Sequence, residues 1–203
     1  MKKLLYIVSG TLILIAIALI FAPWKQQSTL QGPPTGGDFE LKSASGKFSS
    51  KAHRGEVFLI YFGYTFCPDI CPTNLAIMAQ AYHAMSPAEQ EQVQGIFISV
   101  DPERDTLEHL SNYAGYFHPD FIGLTADTDR VKKLADKYGA AYRKAEGASA
   151  GGYLIDHSSY TYLVNKEGKL AHAFNHATPA QQILAETRKW LTADPPTTAK
   201  ETP

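Results

Sequence analysis

Cys67 and Cys71 are the only two cysteines of the chain, and they lie in the run Tyr61-Phe62-Gly63-Tyr64-Thr65-Phe66-Cys67-Pro68-Asp69-Ile70-Cys71-Pro72. Sulfurs four positions apart fall on one side of a single helical turn, with Cα atoms about 6 Å apart, close enough to form a disulfide or to grip one metal ion. Spacing alone leaves both open, together with the plainer reading of a structural disulfide or two buried thiols. The preceding Val57-Phe58-Leu59-Ile60-Tyr61-Phe62 is apolar on both faces and rich in β-branched and aromatic residues, as expected of a strand buried mid-sheet, with Gly63 as its break. Pro72 suits a first helical position, where a missing N–H leaves nothing unpaired, and this puts Cys71 near the helix N-cap. The partial positive charge and free N–H groups of a helix N-terminus favour thiolate over thiol, so the pair is expected to be reactive.

What must position that pair is a chain of 203 residues, 44% hydrophobic, with formal net charge −1. The absence of a basic surplus excludes nucleic acid as the expected partner. Two cysteines are too few for a disulfide-rich scaffold, and a core of this size does not need one. Met1-Lys2-Lys3 precedes 19 uncharged residues, Leu4 to Ala22, enough to cross a bilayer as a helix. Lysines on the near side predict an N-in, C-out anchor over 1–23. Ala16-Ile17-Ala18 offers a signal-peptide cleavage site, but the apolar run continues to Pro23-Trp24, an interfacial pattern that favours a retained helix. With no Arg-rich, Ser-rich presequence ahead of it, the reading is a bacterial plasma (inner) membrane with the rest of the chain outside the cytoplasm. Residues 24–38 read as a linker, 39–192 as the folded domain, and 193–203 as a disordered tail.

Within the domain, Phe39-Glu40-Leu41 and Lys47-Phe48 suggest a hairpin, and a helix from Pro72 to about Met85 carries Leu75, Met78, Ala79 and Tyr82 as core residues rather than copper ligands. Ser86-Pro87-Ala88-Glu89 has the form of a capping box. Strand, loop and helix then recur: Gln94 to Val100 with a helix to Phe117, and Phe121 to Thr125 with a helix capped by Asp127 and stopped by Gly139. Ala141-Tyr142-Arg143 reads as a short edge strand and Lys144 to Gly152 as a small-residue loop. Tyr153 to Asp156, Tyr160 to Val164 and Leu170 to Phe174 read as strands, and a last helix opens at Thr178-Pro179. The alternation describes an α/β domain with a central mixed sheet flanked by helices, whose site gathers beyond the carboxyl ends of the strands. The cysteine loop meets that rule, and so does His157.

Three segments in order, Phe62 to Pro72, Ser99-Val100-Asp101-Pro102-Glu103-Arg104-Asp105-Thr106 and Asp156-His157-Ser158, resemble the SCO/SenC family of membrane-anchored copper chaperones, over about residues 39–191. The resemblance implies a thioredoxin-like fold, copper bound by Cys67, Cys71 and His157, and a role in building the CuA centre of cytochrome c oxidase. It also implies subunit II of that oxidase as partner, with a periplasmic copper donor or thiol reductant upstream. Soft thiolates select Cu(I), and one added imidazole makes a three-coordinate site that also holds Cu(II). Zinc would want a fourth ligand; His172 and His176 can be nominated, but they read, like His53, His83, His109 and His118, as solvated surface histidines.

Asp69, between the cysteines, is placed to tune the site or face a partner. Asp156 reads either as the group that orients the imidazole or as a turn residue. Asp101, Glu103, Arg104 and Asp105 read as an ion-pair network shaping a loop, or as a docking surface. A thiol-disulfide oxidoreductase that cycles Cys67 and Cys71 to reduce the oxidase cysteines is the alternative function. Against it stand the three residues between the cysteines, where C-x-x-C has two, and the lack of any proline between Pro119 and Pro179. A permanent disulfide in a domain that only binds proteins is the third reading.

Overall fold

A run of seven residues without a charged side chain, Val57–Gly63, forms β3, and every one of them is buried. The computed structural model describes residues 34–149 and 152–192, all within the compact unit that begins at Pro33. Such a strand satisfies its backbone only with partners on both sides. It pairs in parallel with β4 (Val93–Ser99) and antiparallel with β8 (Thr161–Val164). Outward from these lie β5 (Ile122–Leu124), parallel to β4, and β9 (Leu170–Phe174), antiparallel to β8, giving the order β5-β4-β3-β8-β9. The expected mixed sheet is therefore present. Gly63 does not break β3 but ends it, opposite Ser99.

Helices cover the sheet where their apolar residues recur: α1 (Ile70–His83), the short α2 (Pro87–Gln90), α3 (Leu107–Phe117), α4 (Thr128–Tyr138) and α5 (Ala180–Thr192). Local rules decide their ends. Ser86 and Glu89 close a reciprocal capping box on α2, Asp127 caps α4, and Gly139 stops α4 in the left-handed region at φ 69°. Met78 and Met85 are buried in the core, as expected. His118 corrects its surface reading: it is 8% exposed, in edge-on and tilted contact with the rings of Tyr82, His83 and Phe121, and burial holds its imidazole below the ordinary histidine range.

Two hairpins form sheets of their own, β1 (Glu40–Ser43) with β2 (Gly46–Ser49), bridged to the end of β5 through Lys42 and Thr125, and β6 (Tyr142–Ser149) with β7 (Gly152–His157). The second overturns the loop expected at 144–152: a long strand takes its place, with a register shift between Lys144 and Ala148. Small residues weaken the strand signal, but pairing with the apolar β7 supplies what local propensity lacks. The end of the stretch expected as linker is held in place, since Gly36 donates to the Lys137 carbonyl and bridges to Lys169. Among the described residues no helix is long and apolar enough to cross a membrane, and the anchor expected at 1–23 and the tail at 193–203 fall outside them.

Candidate metal centre

Beyond the carboxyl end of β3 the chain turns through Tyr64 to Pro68 and enters α1, so both cysteines sit where strand gives way to helix. The helix begins earlier than proline placement suggested: Asp69 is the N-cap, Ile70 opens the helix, and Cys71 lies inside its first turn. Cys71 is fully buried and Cys67 is 9% exposed; both are free thiols. The hairpin β6–β7 brings the third group. Its last residue, His157, points Nε2 at Cys71 Sγ, 3.2 Å away across 86 positions of sequence. The two sulfurs and the imidazole nitrogen all lie within 4.8 Å of one another, and among the described residues theirs is the one group of three or more His, Cys, Asp or Glu side chains so placed.

Hydrogen bonding orients the imidazole and, with burial, makes the two sulfurs unequal. His157 Nδ1 donates to the Ser158 carbonyl at 3.0 Å, which orients the ring and leaves Nε2 as the nitrogen that faces the sulfurs. Tyr61 and Tyr64 set their ring edges against the imidazole at centroid distances of 6.1 and 5.8 Å, fixing its plane. The Cys71 thiol donates to Cys67, and against the opposing effect of burial this, with the His157 imidazole and the backbone N–H groups of Asp69 and Cys71, pulls the Cys67 thiol down to about 4. Burial pushes Cys71 strongly the other way, and the Cys67 thiolate beside it adds to the effect. The resting pair is one thiolate and one thiol. Alkylation should therefore modify one cysteine, Cys67, with a rate that holds from neutral pH downward and falls around pH 4. A rate falling around pH 8 to 9 would show an ordinary thiol.

The other expected site residues divide. Asp69 is exposed at the helix cap. Asp156 does not orient the imidazole, because alternation along β7 puts it on the opposite face from His157, where it pairs with Arg143 at 3.1 Å. Asp101 and Arg104 form a largely buried ion pair, and Asp105 accepts from Thr65 in the cysteine loop and from Ser99 at the end of β4. His172 and His176 take no part in the three-ligand cluster, although exposed His176 is bonded to buried Asn74 at 2.8 Å. Sequence reasoning missed Tyr64, Asn74 and Tyr153. The Tyr64 hydroxyl accepts from the Ile155 N–H, tying the cysteine loop to the hairpin. The overlooked signal for Tyr153 is its place two and four residues before Ile155 and His157, on one face of a strand.

Gly63 has a steric role at this site. A Cβ there would lie 2.6 Å from Cys71 Sγ and 3.0 Å from the Phe97 ring. Gly63→Ala is expected to cost about 1–3 kcal/mol of overpacking and to displace Cys71, which denaturant unfolding and copper titration would register together.

A family model described as SCO1/SenC matches residues 27–192. The chain belongs to the SCO1/SenC family. An SCO2-like protein of Rickettsia felis is 40% identical over 149 residues, 72% of each chain. Arabidopsis thaliana ScoI, solved with copper bound, is 34% identical with TM-score 0.71 over 77% of this chain and 97% of that one. BsSco, described as having a disulfide switch and as a member of the Sco family of cytochrome c oxidase assembly proteins, is 27% identical with TM-score 0.64, over 82% and 100%. The thioredoxin-like α/β fold with its central mixed sheet is that of the solved Sco structures, and the Cys-Cys-His group of this SCO1/SenC chain matches the soft donor set that copper prefers.

Proposed function

We propose that this protein is a copper chaperone that carries one copper ion on Cys67, Cys71 and His157 and passes it toward the CuA centre in subunit II of cytochrome c oxidase. The observation that carries the reading is the convergence of two sulfurs and an imidazole nitrogen within 4.8 Å. Soft thiolates favour copper, one proton must leave Cys71 as the metal binds, and a three-donor shell leaves an opening for a recipient's ligand. Relatives solved with copper support the cargo, and BsSco supports the oxidase. The apolar run Leu4 to Ala22 supports retention of the N-terminal segment as an anchor in a bacterial plasma membrane, with residues 39–192 on the extracytoplasmic side and fed by a periplasmic copper donor.

The asymmetric thiol pair also supports a second reading, a thiol-disulfide reductase in which the Cys67 thiolate attacks a partner disulfide and Cys71 resolves it. The reduced full-length chain, titrated with Cu(I) and Cu(II) against competing chelators, separates the two. One tightly bound copper per chain in each state is the expected result. A reduced chain that ignores copper yet rapidly reduces a partner disulfide would transfer the assignment to the reductase.

A further inference from the structure

Hairpin β6–β7, which ends in His157, is a two-stranded sheet of its own, outside the central one. Side-chain contacts hold it against the body that carries the cysteines. Tyr153 lies four residues before His157 on the same face of β7, about 13 Å along a strand. Its hydroxyl donates to Asp101 Oδ1 at 2.6 Å, and the Arg104 guanidinium lies 3.7 Å over its ring. Asp101 is 2% exposed, and its other oxygen accepts from Arg104 Nε. The acceptor is thus fixed at the carboxyl end of β4, on the main body. Glu103 of the same loop also accepts from Tyr153, at 3.3 Å, and from Lys144 of β6, at 2.7 Å. Arg104 reaches Phe66 as well, at 4.8 Å, next to Cys67, so the loop touches both the hairpin that carries the imidazole and the turn that carries the sulfurs.

We propose that Tyr153, seated on Asp101 and Arg104, is a latch that positions His157, and that it sets how firmly the site holds Cu(II) relative to Cu(I). The inference rests on the copper reading above. Two thiolates suffice for Cu(I), whereas Cu(II) depends on the imidazole. Loosening the latch leaves the sulfurs in place and lets the end of β7 move, so it costs Cu(II) alone. A recipient that pulls the hairpin away at Tyr153 would withdraw the imidazole first and convert a three-donor site into a two-sulfur one, a graded way to let copper go.

Tyr153→Phe keeps the ring over Arg104 and removes both hydroxyl bonds. In the full-length reduced protein it is expected to weaken Cu(II) about 10-fold or more, the range for losing a group that orients a ligand, while Cu(I) affinity is unchanged. The thiolate-to-Cu(II) absorption should shift with it. Because Tyr153 acts through His157, Tyr153→Phe should cost nothing further in a His157→Ala background. Asp101→Asn, read in the same titrations, should give the same split, and it decides the matter if Tyr153→Phe fails to fold. Unchanged Cu(II) affinity, equal loss of both copper states, or additive effects in the double variant would each overturn the latch while the copper reading stands. Wild type that binds neither state would overturn the copper reading and the latch with it.

Discussion

Cys67→Ser is expected to weaken both Cu(I) and Cu(II) by more than about 1,000-fold, about 4 kcal/mol, in competition titrations of the full-length chain. The loss follows from which sulfur is changed. Cys67 is the thiolate of the resting pair, held ionised by the Cys71 thiol and by backbone N–H groups of the first turn of α1. A serine hydroxyl there stays protonated at neutral pH and is a hard donor that copper does not prefer. The fold should survive, since a serine side chain is close in volume to the cysteine it replaces. A Cys67→Ser protein that keeps tight Cu(I) binding would show that Cys71 and His157 suffice, contrary to the account.

His157→Ala is expected to split the two copper states. Cu(II) affinity should fall by roughly 100–1,000-fold, more than the loss assigned to a group that only orients a ligand, while Cu(I) changes by less than about 10-fold. The geometry requires the asymmetry, because the imidazole enters from a separate hairpin and leaves both sulfurs on α1 and its preceding turn undisturbed. Parallel loss of both states would mean that His157 holds the cysteine loop together rather than serving as a donor.

The sequence revealed this site unevenly, for physical reasons. The cysteine loop was legible because everything that defines it is local: an apolar β-rich run, a glycine and a helix start within about a dozen residues. Even so, proline placement misjudged the helix start, since Pro72 fits a third helical position as well as a first. His157 was not legible from its own surroundings and entered only through family resemblance. Its contact with Cys71 spans 86 positions and depends on a strand pairing that no local period encodes. The hairpin that carries it was half lost, because Lys144 to Ser149 is poor in β-branched residues and its strand exists through its partner. Asp156 and His118 illustrate the same limit. Adjacency to His157 said nothing about the face on which Asp156 lies, and polarity said nothing about the aromatic rings around His118.

The most direct test of the central claim is X-ray absorption at the copper edge on the Cu(II)-loaded full-length protein, with the nitrogen shell assigned by magnetic resonance on histidine-labelled protein. Two sulfur neighbours and one imidazole nitrogen, the nitrogen vanishing in His157→Ala, is the result expected of Cys67, Cys71 and His157 acting as one site. A shell of nitrogen and oxygen only, or a single sulfur, would contradict it.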